Sequence, residues 1–178
     1  MFAMEERCSV SKVIILGSGA APGVPSLANG FGDCDPKNEK NIRLRSGTYM
    51  EIGGVKFLID TSPDLRMQLI LSDIRDIDAV FYTHTHADHL HGIDDLREIN
   101  RITGRAIELF ASPDNLNIIR TRFPYLIAER KEDVEPVYRA ALHPNPFEYE
   151  KSFYFRNLKV TPIKLQGHNV ECSGYIFN

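Results

Sequence analysis

Four of the six histidines in this 178-residue chain fall between Thr83 and Gly92, in the run Thr-His-Thr-His-Ala-Asp-His-Leu-His-Gly. An aspartate stands among them. Imidazole nitrogen and carboxylate oxygen are donors that Zn²⁺, Mn²⁺ or Fe²⁺ accept. The spacing says more than the count. In extended chain, alternate side chains share a face, so His84 and His86 can address one ion. Asp88 and His89 follow where the chain turns and can face a second position beside the first. Four metal-competent side chains at these offsets have no packing rationale. Metal binding is therefore expected rather than a histidine-rich turn.

The flanking runs say what must position these groups. Asp78 to Thr83 reads as a short buried strand. Ile93 to Ile102 reads as a helix that buries Ile93, Leu96 and either Ile99 or Asn100. The cluster therefore sits at the carboxyl end of a strand, on a strand-to-helix loop, where ligands collect in layered α/β folds. Asp94 and Asp95 fall in the first helical turn and suit its dipole better than a metal. His91 is expected to be exposed or to support the ligands. Asp60, at the end of an earlier strand, is either a turn residue or a carboxylate that orients a metal-bound histidine.

The remaining elements follow in order. Lys12 to Leu16 is a strand, and Gly17-Ser-Gly-Ala-Ala-Pro-Gly-Val-Pro25 after it is a tight turn rather than a phosphate loop, because no Gly-Lys-Ser/Thr is present. Lys40, Arg43 and Arg45 form a solvated face or an edge that contacts phosphate. Thr48 to Ile52 and Val55 to Ile59 flank Gly53-Gly54, a hairpin signal. Thr61 or Ser62 can cap a helix that runs through Leu65, Leu69 and Ile70. Ala106 to Phe110 is a strand. Ser112-Pro113 starts a helix that ends near Phe123. A strand is expected over Pro136 to Leu142, with His143 in a turn. Ser152 to Phe155 and Leu158 to Leu165 form a second hairpin, and Ser173 to Phe177 a last strand.

Composition bounds the rest. The content is 43% hydrophobic and 25% charged, with a net charge of −3, as in an ordinary globular chain. No Lys/Arg run suggests affinity for extended nucleic acid. Cys8, Cys34 and Cys172 are widely spaced and odd in number, which fits free thiols in a reducing compartment. No apolar run is long enough for a signal peptide or a membrane span. The expected location is the cytoplasm, without a membrane partner, and the expected organisation is one domain over residues 1–178.

His-x-His-x-Asp-His resembles the motif of the metallo-β-lactamase superfamily. The order Gly17-Ser-Gly, Asp33-Cys-Asp-Pro-Lys-Asn, Asp60-Thr-Ser-Pro-Asp, the histidine motif and Gly167-His168 is similar to its PhnP-like phosphodiesterase branch. The resemblance implies an α/β (α+β) fold, an αββα sandwich with a two-metal site at one sheet edge. It implies His84, His86 and His168 on the first ion and Asp88 and His89 on the second. It further implies a bridging aspartate and a late histidine, yet the ten residues after His168 contain neither. The second half of the sandwich is thus expected to be incomplete, with one ion (Zn or Mn) or none in this chain where the complete site holds two. A half-covered apolar sheet face implies a homo-oligomer. Cys34, with no cysteines clustered beside it, is too few for the extra structural zinc of some relatives.

The activity implied is hydrolysis of a small or cyclic phosphate ester by a metal-activated hydroxide. Asp88 would be both ligand and proton acceptor, and Arg43 and Arg45 would hold substrate charge. A tRNA 3′-processing nuclease and a thioester hydrolase are the alternatives within the superfamily. A catalytically incomplete fragment that binds a single metal is the alternative of another class.

Overall fold

The computed structural model describes residues 11–127, 141–166 and 169–178. The β-branched run Lys12–Gly17 (β1) pairs antiparallel with Gly47–Ile52 (β2). β2 turns back into Val55–Ile59 (β3) through Gly53 and Gly54, whose φ values of 59° and 77° give the mirror-image turn that matches strand twist. The strands Ala79–Phe81 (β4), Ile107–Ala111 (β5) and Leu142–Pro146 (β6) then add in parallel, giving the order β1-β2-β3-β4-β5-β6. A second sheet of Phe153–Phe155 (β7), Leu158–Leu165 (β8) and Cys172–Phe177 (β9) is antiparallel throughout. The helices are Leu65–Leu71 (α1), Ala87–Leu90 (α2), Leu96–Thr103 (α3) and Pro113–Arg122 (α4).

Side-chain alternation along the central strands builds two cores. Leu58, Val80, Tyr82 and Leu109 point to the helices and meet Leu65, Leu90, Ile93, Leu96 and Leu116. Phe57, Phe81 and Phe110 point the other way, onto Leu158, Val160 and Phe147 of the second sheet region. The rings of Phe81 and Phe110 stack at 4.6 Å, and Phe110 stacks on Phe153 at 5.2 Å. A central strand buried on both faces has no polar side to show, and every residue of β4 is buried. Each such apolar side chain contributes about 1.5–3 kcal/mol on burial. The described residues thus form helix, sheet and sheet layers, in the metallo-β-lactamase arrangement. On β1 the inner-face residues Val13 and Ile15 remain 56% and 63% exposed, so part of the apolar sheet face is uncovered.

Most expected elements fall within a residue or two of their observed bounds. The strand expected over Pro136 to Leu142 is displaced: the described strand starts at Leu142, and residues 136–140 lie outside the described residues. Two prolines in β6 argue against a strand, but β6 is the sheet's edge, where a missing N–H donor is tolerated. His143 is correspondingly a strand residue, its Nδ1 3.1 Å from Glu108 Oε2. Cys34 is an exposed free thiol and Cys172 a buried one. No described helix is long and apolar enough to cross a membrane.

Candidate metal centre

β3 and β4 pair in parallel, so the loops that follow them leave the sheet side by side. One begins at Asp60 and the other carries the histidines. Asp60 adopts φ 63°, a left-handed conformation uncommon for a residue with a Cβ. Its N–H donates to Phe81 O at 3.0 Å. That geometry turns a carboxylate only 4% exposed toward the neighbouring loop. Asp60 accepts from Thr83 N, from Thr83 Oγ1 and from His89 Nδ1, each at 2.7 Å. Asp60, read from the sequence as either a turn residue or a carboxylate that orients a histidine, lies against His89.

These bonds assign ring atoms. A hydroxyl carries one proton, and that of Thr83 goes to Asp60. His84 Nδ1, 2.9 Å from Thr83 Oγ1, is then the donor in that contact. In the neutral rings of His84 and His89 the lone pair consequently falls on Nε2. His84 Nε2 is buried, and His89 Nε2 lies 3.4 Å from Asp88 Oδ2. Ring centroids are 4.8 Å apart for His84 and His86 and 4.2 Å for His84 and His89. Hydrogen bonding to Asp60, aided by the Asp60 and Asp88 charges and opposed by burial, raises the pKa of His89. A bound ion must displace that proton.

Imidazoles with fixed tautomers beside a carboxylate fit a zinc- or manganese-type ion in donor chemistry. Among the described residues no three His, Cys, Asp or Glu side chains close into a full ligand set. His168 lies outside the described residues.

A further set of contacts locks the loop and was not legible beforehand. Thr61 N donates to His89 O at 2.8 Å, and Gly92 N donates to Thr61 O at 2.9 Å. Thr61 Oγ1 donates to Leu90 O at 3.1 Å and contacts Tyr82 Oη at 2.8 Å. A Cβ on Gly92 would lie 2.0 Å from Ser62 O, so the motif's closing glycine permits this approach. From the second sheet, Ser173 N donates to Thr83 O at 2.8 Å and Tyr175 Oη to Tyr82 O at 2.6 Å. From α4, Arg122 Nη1 donates to Thr85 O at 2.9 Å. Thr83 and Gly92 bound the motif run itself, and nothing in its spacing points to Tyr82, Ser173, Tyr175 or Arg122.

The other site residues divide. Arg45 forks onto Asp64, with Nε and Nη2 donating at 2.9 and 2.5 Å. These bonds hold the Asp64 carboxyl below its usual range, and the Asp88 charge adds to the stabilisation of the guanidinium. Arg43 is exposed and donates to Ser18 Oγ at 3.0 Å. The Gly17-Ser-Gly turn is stitched to this segment by Gly19 N donating to Leu44 O at 2.8 Å. Asp94 accepts from Tyr125 Oη at 3.0 Å. Burial raises the pKa of Asp95. His91 is exposed, its ring 6.0 Å from that of Phe123.

The family profile for the Beta-lactamase superfamily domain matches residues 56–178. An octanoyltransferase of Porphyromonas gingivalis is 30% identical over 165 residues, covering 92% of this chain and 32% of that protein. Ribonuclease Z of Clostridioides difficile is 29% identical over 146 residues, covering 76% of this chain and 44% of that protein. The chain thus spans less than half the length of these relatives. Among solved structures, a diphosphatase from the PhnP family is similar with a TM-score of 0.75 at 28% identity, covering 94% of this chain and 61% of that one.

Proposed function

Because this chain belongs to the Beta-lactamase superfamily, we propose that it carries the metal-binding part of a hydrolase that opens a small or cyclic, nucleotide-like phosphodiester. The observation that supports this most is the pair of imidazoles, His84 and His89, whose Nδ1 atoms are held by Thr83 and Asp60. Preorganised ligands of this kind lower the cost of assembling a catalytic ion. The likeness to a PhnP-family diphosphatase favours phosphorus over a lactam carbonyl.

In this reading His84, His86 and His168 hold a first divalent ion, Zn or Mn, and Asp88 and His89 hold a second. When bound, such ions supply Lewis acidity and bring the pKa of water toward neutrality. Asp88 is the proton acceptor, and its half-buried carboxylate beside His89 Nε2 suits that role. Asp60 acts through His89, keeping Nε2 on the Asp88 side. Arg43 is available for substrate charge. Arg45 is anchored by Asp64 and contributes its field.

The ribonuclease Z relative supports a second reading, cleavage of a tRNA 3′ trailer. Metal content by mass spectrometry, with assays on bis(p-nitrophenyl) phosphate and on a tRNA precursor, separates them. Turnover of the diester that disappears in His86→Ala is expected. Diester hydrolysis that survives His86→Ala would sink the metal mechanism.

A further inference from the structure

A cavity of about 480 Å³ opens between the motif turn and the C-terminal end of α4, lined by Thr85, His86, Ala87, His91, Arg122 and Phe123. One wall is a proposed metal ligand, and the other is the last residue of α4 with its C-cap. The cavity lies within the size range of small-ligand pockets, about 300–1,000 Å³.

Arg122 is the arginine of this lining. Arg45, Arg75, Arg101, Arg105 and Arg156 each have a carboxylate partner within 3.0 Å. Among the described residues Arg122, like Arg43 and Arg120, has none, and its hydrogen bond goes to the Thr85 carbonyl, between the first two histidines. That bond fixes the guanidinium beside the metal loop, and among the described residues no hydrogen bond takes its other N–H donors. Phe123 is partly buried against the helix-side core, so its ring is held in place, at an interplanar angle of 76° to the His91 ring. A planar cation beside a fixed aromatic ring matches a phosphate that carries a flat apolar group.

We propose that this cavity is the subsite for a nucleoside monophosphate half of the substrate, with phosphate on Arg122 and the base against Phe123. The assignment rests on the phosphodiesterase reading and adds the substrate's second half to it. Arg122 touches substrate here and sets affinity rather than chemistry.

Calorimetric titration of the full chain, stripped of metal by a chelator, with AMP as probe tests the subsite without turnover. Wild type binds AMP, and Arg122→Ala binds it about tenfold more weakly or worse, the effect of losing charge-assisted bonds. Arg122→Lys retains charge but not the planar fork and falls between them. This second variant preserves the test should Arg122→Ala fail to fold. Phe123→Leu weakens AMP but leaves ribose 5-phosphate, which lacks the base, unchanged. In the metal-loaded chain, Arg122→Ala raises KM for a nucleotide ester with kcat nearly retained. Wild-type affinity for AMP in both Arg122 variants, or no AMP binding by wild type, overturns the subsite. Asp88→Ala, which lies outside the cavity lining, distinguishes the two readings: it removes turnover and leaves AMP binding to the stripped chain intact.

Discussion

The motif loop has two flanks, and they are built differently. On the β3 flank Asp60, Thr61 and Gly92 are buried and joined to the loop by short bonds to Thr83, His89 and Leu90. On the α4 flank one hydrogen bond from Arg122 reaches Thr85, and an open cavity lies beside it. The first flank determines where the imidazoles sit. The second has surface and donors to spare. Positioning a ligand requires over-determined geometry, whereas admitting a substrate requires groups left unsatisfied until it arrives. The contrast separates residues that act through a histidine from residues that meet the substrate.

The largest expected effect sharpens that contrast in stability. Gly92→Ala forces a Cβ into Ser62 O and should cost about 3 kcal/mol by urea denaturation. Arg122→Ala loses one hydrogen bond and should stay within about 1 kcal/mol. Equal losses would erase the distinction.

Asp60→Asn comes next. It keeps the shape but cannot act as the same acceptor for both Thr83 and His89, so zinc affinity by competition titration should fall about 10- to 100-fold. An unchanged affinity would make Asp60 a purely structural turn residue.

The smallest effect concerns the edge of the β3 flank, where Arg45 hydrogen bonds hold the Asp64 carboxyl below its ordinary value of 3.8. A depressed folded-state pKa gives stability that is fully present above the ordinary value and lost as pH falls through the folded one. The stability gap between wild type and Asp64→Asn should therefore hold at neutral pH and narrow below 3.8. A gap that does not change with pH would remove the ion pair from the account of this flank.

Local pattern carried much of the molecule. Strand-like runs marked β2, β3, β5 and β8, the glycine pair marked the first hairpin, and Ser112-Pro113 marked the start of α4, where Ser112 Oγ accepts from Asn115 N. β6 escaped because its prolines are allowed only by its place at the sheet edge, a fact about neighbours rather than about the strand. Arg45 offered the same side chain to two readings, and Asp64, nineteen residues away, took its guanidinium.

By itself the sequence determined that a metal-competent loop follows a buried strand, since donor type and spacing are local properties of residues 83–92. Only the tertiary structure decided which nitrogen each ring presents. Parallel pairing of β3 and β4 brings Asp60 across twenty-three residues to Thr83 and across twenty-nine to His89. It likewise decided that the end of α4 lies against Thr85, thirty-seven residues distant. Hydrogen bonds between separate loops follow from how the sheet packs, and no spacing within the motif encodes them.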